Sequence, residues 1–100
     1  SFQRLSGAAL SRTTASTGSR VTARVTAAEA CVSRALLQRR TASGSWTTVR
    51  KVRLEAGRAS TTVTVRPGTT RYRWLVRGCT SPGGLPVAGD TSRTLVLRGR

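Results

Sequence analysis

Polar and apolar residues alternate along most of this chain, with a period of two. Val21, Ala23, Val25 and Ala27 are separated by Thr22, Arg24 and Thr26, which predicts a strand with one buried face. Ala35, Leu37 and Arg39 alternate with Leu36, Gln38 and Arg40. After Ser43-Gly44 the alternation resumes at Trp46 and Val49, so residues 34–52 read as a hairpin. Ala56-Gly57 marks a further turn, and Thr61, Val63 and Val65 form a strand ended by the turn dipeptide Pro67-Gly68. Thr70, Tyr72, Trp74 and Val76 then share one parity, against Arg71, Arg73, Leu75 and Arg77 on the other. A loop from Cys79 to Gly89 holds two Pro and three Gly, and Leu95 and Leu97 alternate with Thr94, Val96 and Arg98 in a last strand. With a weak first strand around Ala9–Ala15, seven short, evenly spaced strands predict a single all-β domain. Its core is expected over about 19–98, with residues 1–18 a weak first strand and leader. Only 27–37 has any helical leaning, amounting to a turn.

Composition sharpens this picture at the surface. Eighteen basic residues, all arginine except Lys51, face three acids (Glu29, Glu55, Asp90), a net charge of +15. A GC-rich coding bias accounts for arginine over lysine but not for the shortage of carboxylates. Attraction to polyanions is the functional reading, and solubility with compositional bias is the alternative. No apolar run approaches the roughly 20 residues of a membrane helix. The chain has no Met and no signal-peptide pattern at Ser1–Leu10, so it is expected to be a mature chain or an excised module.

Chemistry is sparse. With no His and three isolated carboxylates, a metal site has little to build on, and the abundant Ser and Thr hydroxyls lack a base. No phosphate loop or dinucleotide fingerprint occurs. The sequence therefore predicts no enzyme, no metal and no cofactor. Cys31 and Cys79, 48 residues apart and outside any CxxC spacing, read as one disulfide and an oxidising compartment.

The runs RALLQRRTASGSWTTVRKV, GRASTTVTVRP, TTRYRWLVRG and TSRTLVLR together resemble the immunoglobulin-like and fibronectin-type-III-like modules of bacterial secreted and cell-surface proteins. The resemblance covers about residues 19–98. It implies a seven-stranded antiparallel Ig-like β-sandwich of Greek-key topology, secreted or held in the cell envelope. Modules of this kind serve as spacers, anchors or binding accessories and share no catalytic set. In such a sandwich the second and sixth strands run in the same direction, so Cys31 and Cys79 fall at one pole and form a loop–loop disulfide. Tyr72 is expected in a tyrosine corner, its hydroxyl bonded to nearby backbone. Trp74 is expected in the core, and Trp46 over one end of the sandwich.

The same arrangement sets strand 34–40 beside strand 69–77. Arg34, Leu36, Gln38, Arg40, Arg71, Arg73, Leu75 and Arg77 then point outward, joined by Arg50 and Arg98. The expected site is this basic face (Arg34, Arg40, Arg50, Arg71, Arg73, Arg77, Arg98) with Leu36 and Leu75 exposed inside it. Guanidinium forks suit phosphate, sulfate and carboxylate, so an anionic cell-wall polymer or acidic glycan is the expected partner. Nucleic acid is disfavoured by the extracellular setting and only four aromatic residues. The alternative is a stand-alone secreted protein-binding factor, inhibitor-like, that presents Pro82, Leu85 and Pro86 on the 81–90 loop.

Overall fold

The structure is a computed structural model that describes residues 2–100. All regular structure in it is β: β1 (Arg4–Leu10), β2 (Thr14–Ala15), β3 (Arg20–Ala28), β4 (Arg34–Arg40), β5 (Trp46–Arg53), β6 (Arg58–Thr64), β7 (Gly68–Val76), β8 (Cys79–Thr80), β9 (Pro86–Val87), β10 (Asp90–Thr91) and β11 (Leu95–Gly99). The expected count of seven is thus corrected to eleven. Seven strands run five residues or more, and four are two-residue pairings. A three-stranded sheet has the order β1-β3-β6. A larger sheet has the order β2-β11-β7-β4-β5, with β10 also on β7, and β8 and β9 form a small hairpin.

The alternating positions explain how the two larger sheets meet. Val21, Ala23, Val25 and Ala27 of β3, with Val63 of β6, turn inward toward Ala35 and Leu37 of β4, Tyr72, Trp74 and Val76 of β7, and Leu95 and Leu97 of β11. Trp74 is fully enclosed, and alanines at 23, 35 and 59 leave room in the core for its indole. Trp74 Nε1 is buried with no hydrogen-bond partner, so the indole is held by packing alone.

The N-terminal segment departs from its expected role. The first strand begins at Arg4, not Ala9, and a bulge between Ser6 and Ala9, with Gly7 at φ 60°, turns Ala8 into the core. Chain 11–13 then crosses to the second sheet, where β2 pairs in parallel with β11 (Arg98 with Thr14, Gly99 with Ala15). Small residues and the absence of a clean alternation in RLSGAAL hide a strand whose partners, not its own pattern, hold it. No helical turn forms at 27–37; Glu29 turns the chain there at φ 55°.

Cys31 and Cys79 are bonded, their Cα atoms 6.1 Å apart. The bond ties the β3–β4 connection to the chain leaving β7, and closing a 48-residue separation stabilises by about 4 kcal/mol in the chain-entropy account. This defines a disulfide end of the molecule. At the opposite, far end lie the β4–β5 turn, the β6–β7 turn and the last residues of β11, where Gly99 pairs with Gly68.

A basic sheet face and an end groove

The sheet registers decide which arginines share a surface. Arg34, Leu36, Gln38 and Arg40 pair with Arg53, Lys51, Thr48 and Trp46 of β5, and Leu36 and Gln38 pair with Leu75 and Arg73 of β7. Val96 pairs with Arg71 and Arg98 with Thr69. Arg34, Arg40, Arg71, Arg73 and Arg98 therefore lie on one outward face, and Arg77 follows on the same parity just past β7. Arg50 does not join them. A bulge after Leu37 shifts the register, so Arg50 pairs with Leu37 on the inward parity. Lys51 and Arg53 occupy the outward places instead, a substitution that alternation alone does not reveal.

Leu36 and Leu75 are not exposed within this face. Leu36, between Lys51 and Leu75, is only 6% exposed, and Leu75 is half-buried. Long basic side chains lay their aliphatic stems over apolar neighbours while the charged heads stay in water. No apolar docking patch is left there.

Trp46 lies on this outer face rather than over an end of the molecule. The Arg73 guanidinium sits 4.4 Å from its ring centroid and that of Arg40 5.9 Å. Arg73 Nε donates to Gln38 Oε1 at 2.8 Å, and Gln38 Nε2 donates in turn to Thr48 Oγ1 at 3.4 Å. Stacking on an indole fixes a guanidinium plane while leaving its remaining N–H groups free in that plane. Arg73 is thus held in place before any ligand arrives.

At the far end the face turns a corner into an open groove of about 760 Å³. Arg39, Arg40, Arg66 and Arg71 line it, with Thr70 buried among them. The β6–β7 turn sets Arg66: Pro67 and Gly68 occupy its centre, Gly68 at the φ of 82° that a type II turn requires of its third residue. Gly99 packs directly on the Arg66 carbonyl, where a Cβ would collide. Tyr72 lies just inside. Burial pushes its phenol above the ordinary value of 10.0, while the nearby positive charges of Arg39, Arg66 and Arg50 pull it back. The expected tyrosine corner is corrected accordingly: no hydrogen bond from the hydroxyl to backbone is found among the described residues, and the charges that act on it are those of Arg39, Arg66 and Arg50.

The acids sit elsewhere. Glu29 follows β3, Glu55 follows β5 and Asp90 faces Val76, so all three lie at the disulfide end. The Asp90 carboxylate accepts the Leu5 backbone N–H at 2.7 Å. Among the described residues the arginine side chains that hydrogen-bond within the protein do so to Val49 O, Gln38 Oε1 and Ala8 O, not to carboxylates.

The 81–90 loop is built as a closed hairpin. Ser81 N donates to Leu85 O (2.8 Å), Gly84 N to Ser81 O (2.9 Å) and Leu85 N to Ser81 Oγ (3.2 Å). Pro86 begins β9, Pro82 is exposed in the turn, and Leu85, which closes the turn opposite Ser81, is 68% exposed. Among the described residues no three His, Cys, Asp or Glu side chains gather as a metal site would need. No helix there is long and apolar enough to cross a membrane. No family model, curated protein or solved structure matches the chain.

Proposed function

We propose that this chain is a non-catalytic, immunoglobulin-like or fibronectin-type-III-like module of a secreted or envelope protein, and that its basic sheet face binds an anionic polymer such as a cell-wall polymer or acidic glycan. The disposition of the long strands supports the fold assignment: the first, second and fifth form one sheet, and the third, fourth, sixth and seventh the other. The observation that carries the function is charge segregation. A device for solubility intersperses both signs. Here the three acids gather at one end, and the opposite end and one sheet face keep their arginines unneutralised. Arg73, stacked on Trp46 and hydrogen-bonded to Gln38, is pre-ordered, which lowers the entropic cost of engaging a ligand.

The test is retention on immobilised phosphorylated and carboxylated polymers across a salt series, for the native chain and for Arg40→Gln/Arg71→Gln/Arg73→Gln. Retention should fall steeply with salt, because binding releases counterions, and the triple variant should elute far earlier with an unchanged melting temperature. Salt-independent retention, or equal retention of the variant, overturns the reading.

The protein-binding alternative rests on Leu85, which a hydrogen-bonded hairpin beside the disulfide holds in solvent. Leu85→Ser separates the two: it leaves polymer retention intact and abolishes capture of a protein partner.

A further inference from the structure

The end groove holds more than the edge of the sheet face. Its four arginines come from different places in the fold: Arg39 from the inward parity of β4, Arg40 and Arg71 from the outer face, and Arg66 from the β6–β7 turn. No carboxylate lines it. Like charges held this close repel one another, so the arrangement is one the fold tolerates at some cost. Thr70, 8% exposed, adds a hydroxyl-bearing side chain to the lining.

We infer that this groove is a discrete site for a tetrahedral oxyanion, a phosphate or sulfate group. Donor geometry selects that class. One guanidinium fork satisfies the two oxygens of a carboxylate, whereas guanidinium groups from several places in the fold with a hydroxyl among them suit a group presenting three or four acceptor oxygens. Arg39, Arg40, Arg66 and Arg71 grip the anion, and Thr70 donates its hydroxyl. Because Arg40 and Arg71 also belong to the sheet face, a phosphate or sulfate ester of the bound polymer reaches the groove without leaving that face. The inference rests on the polymer-binding reading for its natural ligand, but the site is defined for the free ion too.

The experiment therefore uses inorganic phosphate and sulfate first. At constant ionic strength, chloride is exchanged for phosphate while the arginine Nε–Hε and Thr70 amide signals are followed by NMR. Saturable shifts at Arg39, Arg66 and Thr70 are expected, and Arg39→Gln/Arg66→Gln should weaken binding at least tenfold. Arg73→Gln, on the sheet face, should bind the free ion as the native chain does. Removing two clustered like charges leaves the melting temperature in chloride unchanged or raised, so a folding failure is recognisable, and Arg66→Lys, which keeps the charge without the fork, should bind with intermediate strength. Phosphate shifts that are linear and spread over all arginines overturn the site, as does full affinity in Arg39→Gln/Arg66→Gln. A second arm compares poly(glycerol phosphate) with polyglutamate. The groove variant should lose affinity for the first and keep it for the second. Equal losses on both overturn the oxyanion preference while leaving the polymer-binding reading standing, and retention of neither polymer by the native chain removes that reading while the free-ion result stands by itself.

Discussion

Gln3 is 1% exposed and joins three separate pieces of chain at the disulfide end. Its Nε2 donates to Arg77 O at 2.7 Å and to Ala88 O at 3.3 Å, and its Oε1 accepts from Cys31 N at 3.3 Å. Replacing it by Met preserves length and removes the amide. Three hydrogen bonds, each contributing about 1 kcal/mol with their backbone partners left in a covered position, put the cost at about 3 kcal/mol. For a domain of this size that is a fall in melting temperature of about 15 °C, measured by calorimetry on the oxidised chain. Gln3→Glu separates hydrogen bonding from packing. Its carboxylate still accepts from Cys31 N but faces two carbonyl oxygens, and burial with that repulsion raises its folded pKa. The deficit against the native chain should therefore be small below pH ~4.3, where the unfolded glutamate is also protonated, and should grow as pH rises above it. The three native carboxylates are common to both chains and cancel in the difference. A Gln3→Met loss below about 0.5 kcal/mol, or a Gln3→Glu deficit independent of pH, would refute this account of the amide as the tie.

Tyr72 is the only tyrosine, so absorbance at alkaline pH reports it alone. Because burial raises its folded pKa above 10.0, the unfolded chain ionises first, and the stability Tyr72 contributes is present below pH 10 and lost as pH climbs past it. Arg39→Gln should move that ionisation still higher by removing a nearby cation, and an unchanged titration curve in this variant counts against that electrostatic pull. In the β5–β6 turn, Ala56 has φ 51° and Gly57 φ 75°, closed by reciprocal hydrogen bonds between Glu55 and Arg58. Ala56→Gly removes the left-handed penalty and should stabilise the chain by about 0.5–1 kcal/mol; a drop in denaturation midpoint contradicts this.

What alternation could reveal, it did: the inward sets of β3 and β7 and the shared end of the two cysteines follow from a period of two and the resemblance. The misreadings arise where neighbours decide. Nothing in WTTVRKVR marks the bulge that sets Arg50 opposite Leu37 and Lys51 opposite Leu36, because a bulge is a property of the pair of strands. Leu36 occupies its expected parity and is still covered, since parity does not say how much of a strand's face its neighbours cover. The groove was missed because Arg39 reads as a core-facing misfit and Arg66 as a turn residue. The signal for Arg39 was present: an arginine at an inward position, one strand away from an inward tyrosine. Gln3 carried no local signal, because its partners lie 28, 74 and 85 residues away.

The crossing of the N-terminal segment between sheets has a mechanical consequence. β1 starts at the disulfide end, where Arg4 faces Ala28, and β11 finishes at the far end, where Gly99 faces Gly68. Tension applied through the two ends of the chain thus drags β2 and β11, which run in parallel, lengthwise past each other. Their cross-links are loaded together in shear instead of being peeled one by one. If that clamp yields, the Cys31–Cys79 bond still withholds its 48-residue span from extension, about 160 Å of contour at 3.3 Å per residue. Stretching would lengthen only the flanks, leaving β4, β5, β6 and β7 inside a covalently closed loop.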